Sequence, residues 1–358
     1  MIFFVLILLL IIFSSAKAEK ANQFNKDYIS KDSCNVIKGI FVLLIFLSHS
    51  RGYFELSGAY DKAYVVFQDH IKQMVVVMFL FYSGYGMMEQ IKKRKFAYIK
   101  SIPEKRFPNL LINYDIAILL FAAMNFCLGK EITLKKLLLS FTAWESMGNS
   151  NWYIFIIFAM YICTFIAFFP IKWLDKRWHQ AIYLIVLTAL SVLFIYLMKY
   201  QFEKETRWYN TVLVYALGFW YSFFKDVIEK IMMKNDIIYL IAVAGLTLVY
   251  VFTYLRRDDR LTYYILWSFA FTIFTVVITM KVSFQSNILS WFGEHIFSVY
   301  ILQRIPMTIL KEFGVADRHR YIFIVVSLAV TCAMAVVFDY FTGLLGKAIW
   351  KPKKIEKK

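Results

Sequence analysis

Long apolar runs alternate with short charged loops from one end of the chain to the other. Ten of these runs read as helical spans: 36–50, 74–90, 109–128, 152–170, 180–198, 208–224, 237–255, 261–280, 288–310 and 321–346. A helix needs about 20 mostly apolar residues to cross the hydrocarbon core, and the first run reaches that length once its flanks join the helix. The longest loops, 51–73 and 129–151, hold 23 residues each, too few for a sizeable soluble domain. The pattern predicts an all-α fold: a polytopic transmembrane helical bundle of ten core spans, occupying residues 32–346 as one membrane domain.

Residues 1–16 (MIFFVLILLLIIFSSA) form a separate N-terminal apolar segment. Ala16-Lys17-Ala18 has the small-x-small form of a signal-peptide cleavage site. However, no Lys or Arg precedes the apolar run, and cleavage would leave the basic stretch 17–38 outside. The expectation is therefore an extra, uncleaved span, or signal-like anchor, with its N-terminus outside.

Composition narrows the class. The 358 residues are 60% hydrophobic and 19% aromatic, more apolar than a soluble domain of this length requires. A net charge of +17 raises nucleic acid as a partner. The basic residues fall instead in short loops between spans, where they act as orientation signals, and no nucleic-acid motif accompanies them. Threading with residues 17–38 inside places 25 Lys+Arg on that side and 15 on the other, with Arg304 inside a span. The richest segments, 91–108 and the basic tail 347–358, both fall inside. The chain is expected in the cell (inner) membrane, multi-pass, with a cytoplasmic C-terminus.

Cys34, Cys127, Cys163 and Cys332 are scattered, with no CxxC, so neither a metal site nor a disulfide framework is expected. There is no phosphate-binding loop, dinucleotide fingerprint or arginine ladder. No internal repeat or inverted half is visible, which weakens the case for a secondary transporter.

Ionisable groups within spans carry the chemistry. Lys38 and His49 are eleven residues apart on the first span, which is about three helical turns and about 16 Å along one face. An imidazole at such depth is a functional candidate, although a His hydrogen-bonded between helices is its simpler reading. Lys38 could equally end a span at the surface. Arg304 could pair structurally with an Asp, such as Asp115 or Asp339, or face the cavity near His49. Glu294 and His295 open the ninth span and read as interfacial.

Five local patterns then line up in order. They are Lys38-x10-His49, Phe79-Leu80-Phe81-Tyr82-Ser83-Gly84-Tyr85, the basic entry Lys105-Arg106-Phe107-Pro108-Asn109, Asn151-Trp152-Tyr153, and Gly293-Glu294-His295 running on to Tyr300-Ile301-Leu302-Gln303. Together they resemble the membrane-bound acyltransferase type 3 family, multi-span enzymes that O-acylate cell-surface sugars and related acceptors. The resemblance covers roughly 32–345. Lys38 stands where that family has Arg, keeping the charge without the bidentate fork. Asn109 replaces a further Arg, and Gln303 stands where His is often found.

The resemblance implies an O-acyltransferase with His49 as general base, an imidazole having a suitable unperturbed pKa of about 6.5. It implies acyl-CoA, with acetyl-CoA the expected donor, held by Lys38, Lys105 and Arg106. Ser83, Gly84, Tyr85, Trp152, Tyr300, Gln303 and Arg304 would line the site, with Ser83 disfavoured as a nucleophile because no base lies beside it. The small pair Ser83-Gly84 also suits close helix packing, and Trp152 suits an aromatic belt. The acceptor would be a glycan or lipid-linked sugar, and no cofactor is expected. The competing reading is a transporter or polysaccharide export protein in which the intramembrane charges line a path. A polymerase or glycosyltransferase of lipid-linked sugars would need a larger outer loop.

Overall fold

The computed structural model describes residues 1–174 and 176–350, so residues 351–358 of the expected basic tail lie outside it. The helices in chain order are α1 (Ile2–Ser15), α2 (Lys31–Ser50), α3 (Asp61–Ile71), α4 (Met74–Ser101), α5 (Phe107–Cys127), α6 (Leu134–Phe141), α7 (Trp152–Phe168), α8 (Arg177–Tyr196), α9 (Leu213–Met232), α10 (Asp236–Leu255), α11 (Leu261–Thr279), α12 (Asn287–Glu294), α13 (Ile296–Leu302), α14 (Arg304–Glu312), α15 (Val315–Arg318) and α16 (Arg320–Ile349). Two short strands, β1 (Ala16–Ala18) and β2 (Val282–Phe284), and five short 3-10 or π-helical turns complete the described elements. The chain forms two compact units. One holds Met1–Ser48, Leu56–Lys100 and Trp152–Glu294; the other holds His49–Glu55, Ser101–Asn151 and the chain from His295 onward.

Among the described residues, eight stretches are long and apolar enough to cross a membrane. One of them, Asp61–Cys127, takes in both α4 and α5 and so contains two of the expected spans. The expected ninth span, 288–310, is instead broken into α12, α13 and α14, which have 8, 7 and 9 residues. The N-terminal segment forms a helix of 14 residues, shorter than a full crossing. Apolar side chains face outward at a density no water-soluble helix carries: Leu240, Ile241, Leu248, Phe252 and Leu255 of α10 are all exposed. The protein is a multi-pass membrane protein.

In the first unit, glycines set two helix crossings. A Cβ on Gly84 of α4 would overlap the carbonyl oxygen of Tyr215 on α9, and a Cβ on Gly218 of α9 would overlap that of Phe81 on α4. The same reciprocity joins α2 to α12, with Gly39 against the Leu289 carbonyl and Gly293 against that of Asn35. Small residues let backbones approach where lipid supplies no hydrophobic drive for association.

The ladder between β1 and β2 is antiparallel, with Lys17 opposite Ser283. It uses the three residues that have the form of a cleavage site. Strand pairing puts both segments on one side of a membrane, so an even number of crossings must separate them. Eight long apolar helices lie between them in the sequence, α2, α4, α5 and α7 to α11, which is an even number. Lys281 pairs with Asp236 at 2.7 Å, joining two loops threaded to one side, and Lys72 pairs with Asp258 at 2.8 Å, joining two threaded to the other.

The second unit assembles α5, α6 and α13 to α16. Phe323 of α16 packs against Tyr53 and Phe54, whose segment follows α2, and Lys130 pairs with Glu312 at 2.6 Å. An apolar cavity of about 570 Å³ between α5, α13 and α16 is lined by residues such as Ile116, Leu302 and Phe338. None of the expected site residues lines it.

Candidate active site

His49 occupies the last turn of α2 and belongs to the second unit. The helix runs unbroken from Lys31 to Ser50, so the spacing of Lys38 and His49 is true helical spacing. The imidazole is half-buried, and its Nε2 lies 3.2 Å from the Oγ of Ser150. Its ring also rests beside that of Tyr300, with centroids 6.1 Å apart. The Tyr300 hydroxyl donates to the carbonyl oxygen of Ser150 at 3.0 Å, and the Gln303 side chain donates to the carbonyl of Tyr300 at 2.8 Å. The second unit thus brings His49, Tyr300 and Gln303 together around a residue not expected from the sequence, Ser150.

Ser150 is held by a tightly cross-braced loop. The side-chain oxygen of Asn149 accepts from the backbone N–H of Met147 at 3.1 Å, and its amide donates to the Tyr114 hydroxyl at 3.1 Å. Asn125 donates to the carbonyl of Met147 at 2.7 Å, and Asn151 to that of Ala143 at 2.7 Å. Gly148 at φ +109° and Ala143 at φ +60° take the left-handed backbone needed for so sharp a course. Ser150, Asn149, Tyr114 and Tyr300 are all buried. Such networks fix their members when every partner is in place. The polar run Ser146-Met147-Gly148-Asn149-Ser150-Asn151 was the available sequence signal, a turn-rich segment just before a span.

Arg304 opens α14 and is half-buried, and it forms no ion pair with any described residue. Asp339, one of the two carboxylates considered for it, is engaged elsewhere: it accepts from Ser298 Oγ at 2.9 Å and lies 2.5 Å from Nδ1 of His295. His295, expected at the interface, therefore also holds a carboxylate. The buried Oδ1 of Asp115 and the buried Nε of Arg304 each lack a hydrogen-bond partner among the described residues. Lys105 and Arg106 lie exposed on the π-helical turn Ile102–Arg106 that leads into α5.

The remaining expected residues belong to the first unit. Lys38 is half-buried, 3.4 Å from Asn35 Oδ1 and 6.0 Å above the ring of Tyr82, with no carboxylate at ion-pair distance among the described residues. Ser83 is half-buried, while Gly84 is consumed by the crossing with α9. Tyr85 is buried against Phe81 and Tyr221. Trp152 begins α7 and meets Tyr153 edge-on.

A hydroxyl within hydrogen-bond distance of an imidazole, in a multi-span membrane protein, is an arrangement suited to proton transfer during group-transfer chemistry. Residues 31–341 match the family described as "Acyltransferase domain", type 3, and the chain belongs to that family. No curated protein and no solved structure gives a significant match.

Proposed function

We propose that this membrane acyltransferase moves an acyl group, acetyl in the first instance, from acyl-CoA to a hydroxyl of a cell-surface carbohydrate or lipid-linked sugar. His49 is the general base. One observation carries this reading: its Nε2 already stands at hydrogen-bond distance from a hydroxyl oxygen, on a ring steadied by Tyr300. An imidazole so placed can take a hydroxyl proton as the oxygen attacks a thioester carbonyl.

Lys38 is the cation for the carrier's phosphates. Its head group lacks a carboxylate partner among the described residues and is partly withdrawn from water, which suits it to an anionic ligand. Lys105 and Arg106, on the exposed basic turn, gather the same polyanion from the aqueous phase. Donor entry from the cytoplasm follows from the charge threading.

The deciding experiment is His49→Ala in the native cell, with mass spectrometry of the surface glycans. Loss of acyl groups, with the variant inserted at wild-type abundance, is the expected result. Unchanged acylation would remove His49 from the chemistry.

A further inference from the structure

We infer that Ser150 is a covalent nucleophile, so that transfer proceeds in two half-reactions through an acyl-Ser150 ester. The inference rests on the acyltransferase reading and adds an intermediate to it. The signature of an activated nucleophile is a hydroxyl within about 2.6–3.2 Å of a base. Ser150 Oγ meets it against His49 Nε2 at 3.2 Å, and Ser83, the serine of the recognisable sequence pattern, has no comparable contact among the described residues.

Three further features fit the role. The Tyr300 hydroxyl holds the Ser150 carbonyl, and the braces from Asn149 and Asn151 fix the loop on either side, so Oγ is aimed by the backbone. Positive-φ residues at 143 and 148 give the loop the sharp, constrained course that presents a single side chain to a base. Ser150 is buried, and burial shields an ester from hydrolysis while the acceptor arrives. A covalent intermediate also resolves a topological difficulty. A CoA thioester and a surface sugar approach from opposite sides, and a ping-pong sequence never requires both at once.

In the first half-reaction the Oγ–carbon bond forms and the thioester carbon–sulfur bond breaks. The Oγ proton passes to His49 Nε2 and then to the departing thiolate, releasing CoA thiol. In the second, the acceptor oxygen bonds to the acyl carbon and the carbon–Oγ bond breaks. The acceptor proton passes through Nε2 back to Ser150, restoring the enzyme.

The test uses full-length protein in nanodiscs with acetyl-CoA and labelled free CoA, without acceptor. The expected result is exchange of label into acetyl-CoA and an acetylated peptide containing residue 150. Ser150→Ala is expected to abolish the exchange and slow acceptor acylation about a thousandfold or more, as loss of a catalytic nucleophile does. Ser150→Cys guards against a merely structural loss: it should carry a hydroxylamine-labile thioester at the same position. Wild-type protein that acylates acceptor without exchange, with Ser150→Ala within threefold of it, would overturn the nucleophile and leave the acyltransferase standing. Wild-type protein that neither exchanges nor acylates any glycan in the native cell would overturn the acyltransferase reading itself.

Discussion

The hydroxyl of Tyr300 donates a hydrogen bond to the backbone carbonyl of Ser150 at 3.0 Å, tying α13 to the loop that carries the Ser150 hydroxyl. Tyr300→Phe keeps the ring beside His49 and removes only this tie. The expected loss is about 1 kcal/mol of stability, with Ser150 left free to drift. Acyl transfer should fall about tenfold through kcat, because a misplaced reacting atom slows chemistry more than binding. Thermal unfolding in detergent and steady-state kinetics on the variant measure both. A Tyr300→Phe enzyme with unchanged kcat would mean that the loop holds Ser150 without help.

Gly84 and Gly218 face each other's helix backbones across one crossing. Alanine at either position must push α4 and α9 apart, and each change is expected to destabilise the protein by about 1–3 kcal/mol. The double variant should lose less than the two single losses combined, since one separation of the helices relieves both overlaps. Detergent melting curves for the three variants give the comparison. Full additivity would show that the crossing does not open as a unit.

Lys17 and Ser283 are direct partners in the strand ladder. Opposed residues on antiparallel strands have Cα atoms about 4.5–5.5 Å apart, inside the range a disulfide spans. Lys17→Cys with Ser283→Cys should therefore cross-link on mild oxidation, and each cysteine alone should label from the same side of sealed vesicles. An N-terminal fragment released by cleavage near residue 16 would show neither result.

Lys38→Gln should raise the KM for acetyl-CoA about ten- to a hundredfold, the range for losing one charged hydrogen bond, with kcat changed far less. Lys38→Arg should restore affinity, since the guanidinium keeps the charge and adds a fork that suits phosphate. Kinetics against donor concentration at two ionic strengths provide the measurement. Equal KM values for all three enzymes would assign Lys38 to packing against Tyr82.

The membrane class and most of the spans were legible because each rests on a local signal, apolar run length or loop charge, and an ionisable group at depth marked His49 as a candidate. The acyltransferase 3 assignment was legible because several weak patterns stand in the right order. Ser150 was not, because its importance lies in a contact across 101 positions of sequence, and Asn-Ser-Asn before a span reads as an ordinary turn. Asp339 shows the same limit. It looked available to Arg304, but His295 and Ser298 on α13 take it instead. The break at 295 had no proline or glycine at the hinge itself, so the apolar pattern read straight through it.

That break bears on how the protein is made. A segment that enters the bilayer as a single helix brings its backbone groups already paired. The stretch from Asn287 to Glu312 turns twice instead, at His295 and at Gln303, and carries Glu294, Arg304 and Lys311 with it. Alone in lipid it would expose unpaired amides and charges. Its amides and charges therefore depend on partners outside the segment, so the local shape around Tyr300 is one that this stretch cannot hold by itself.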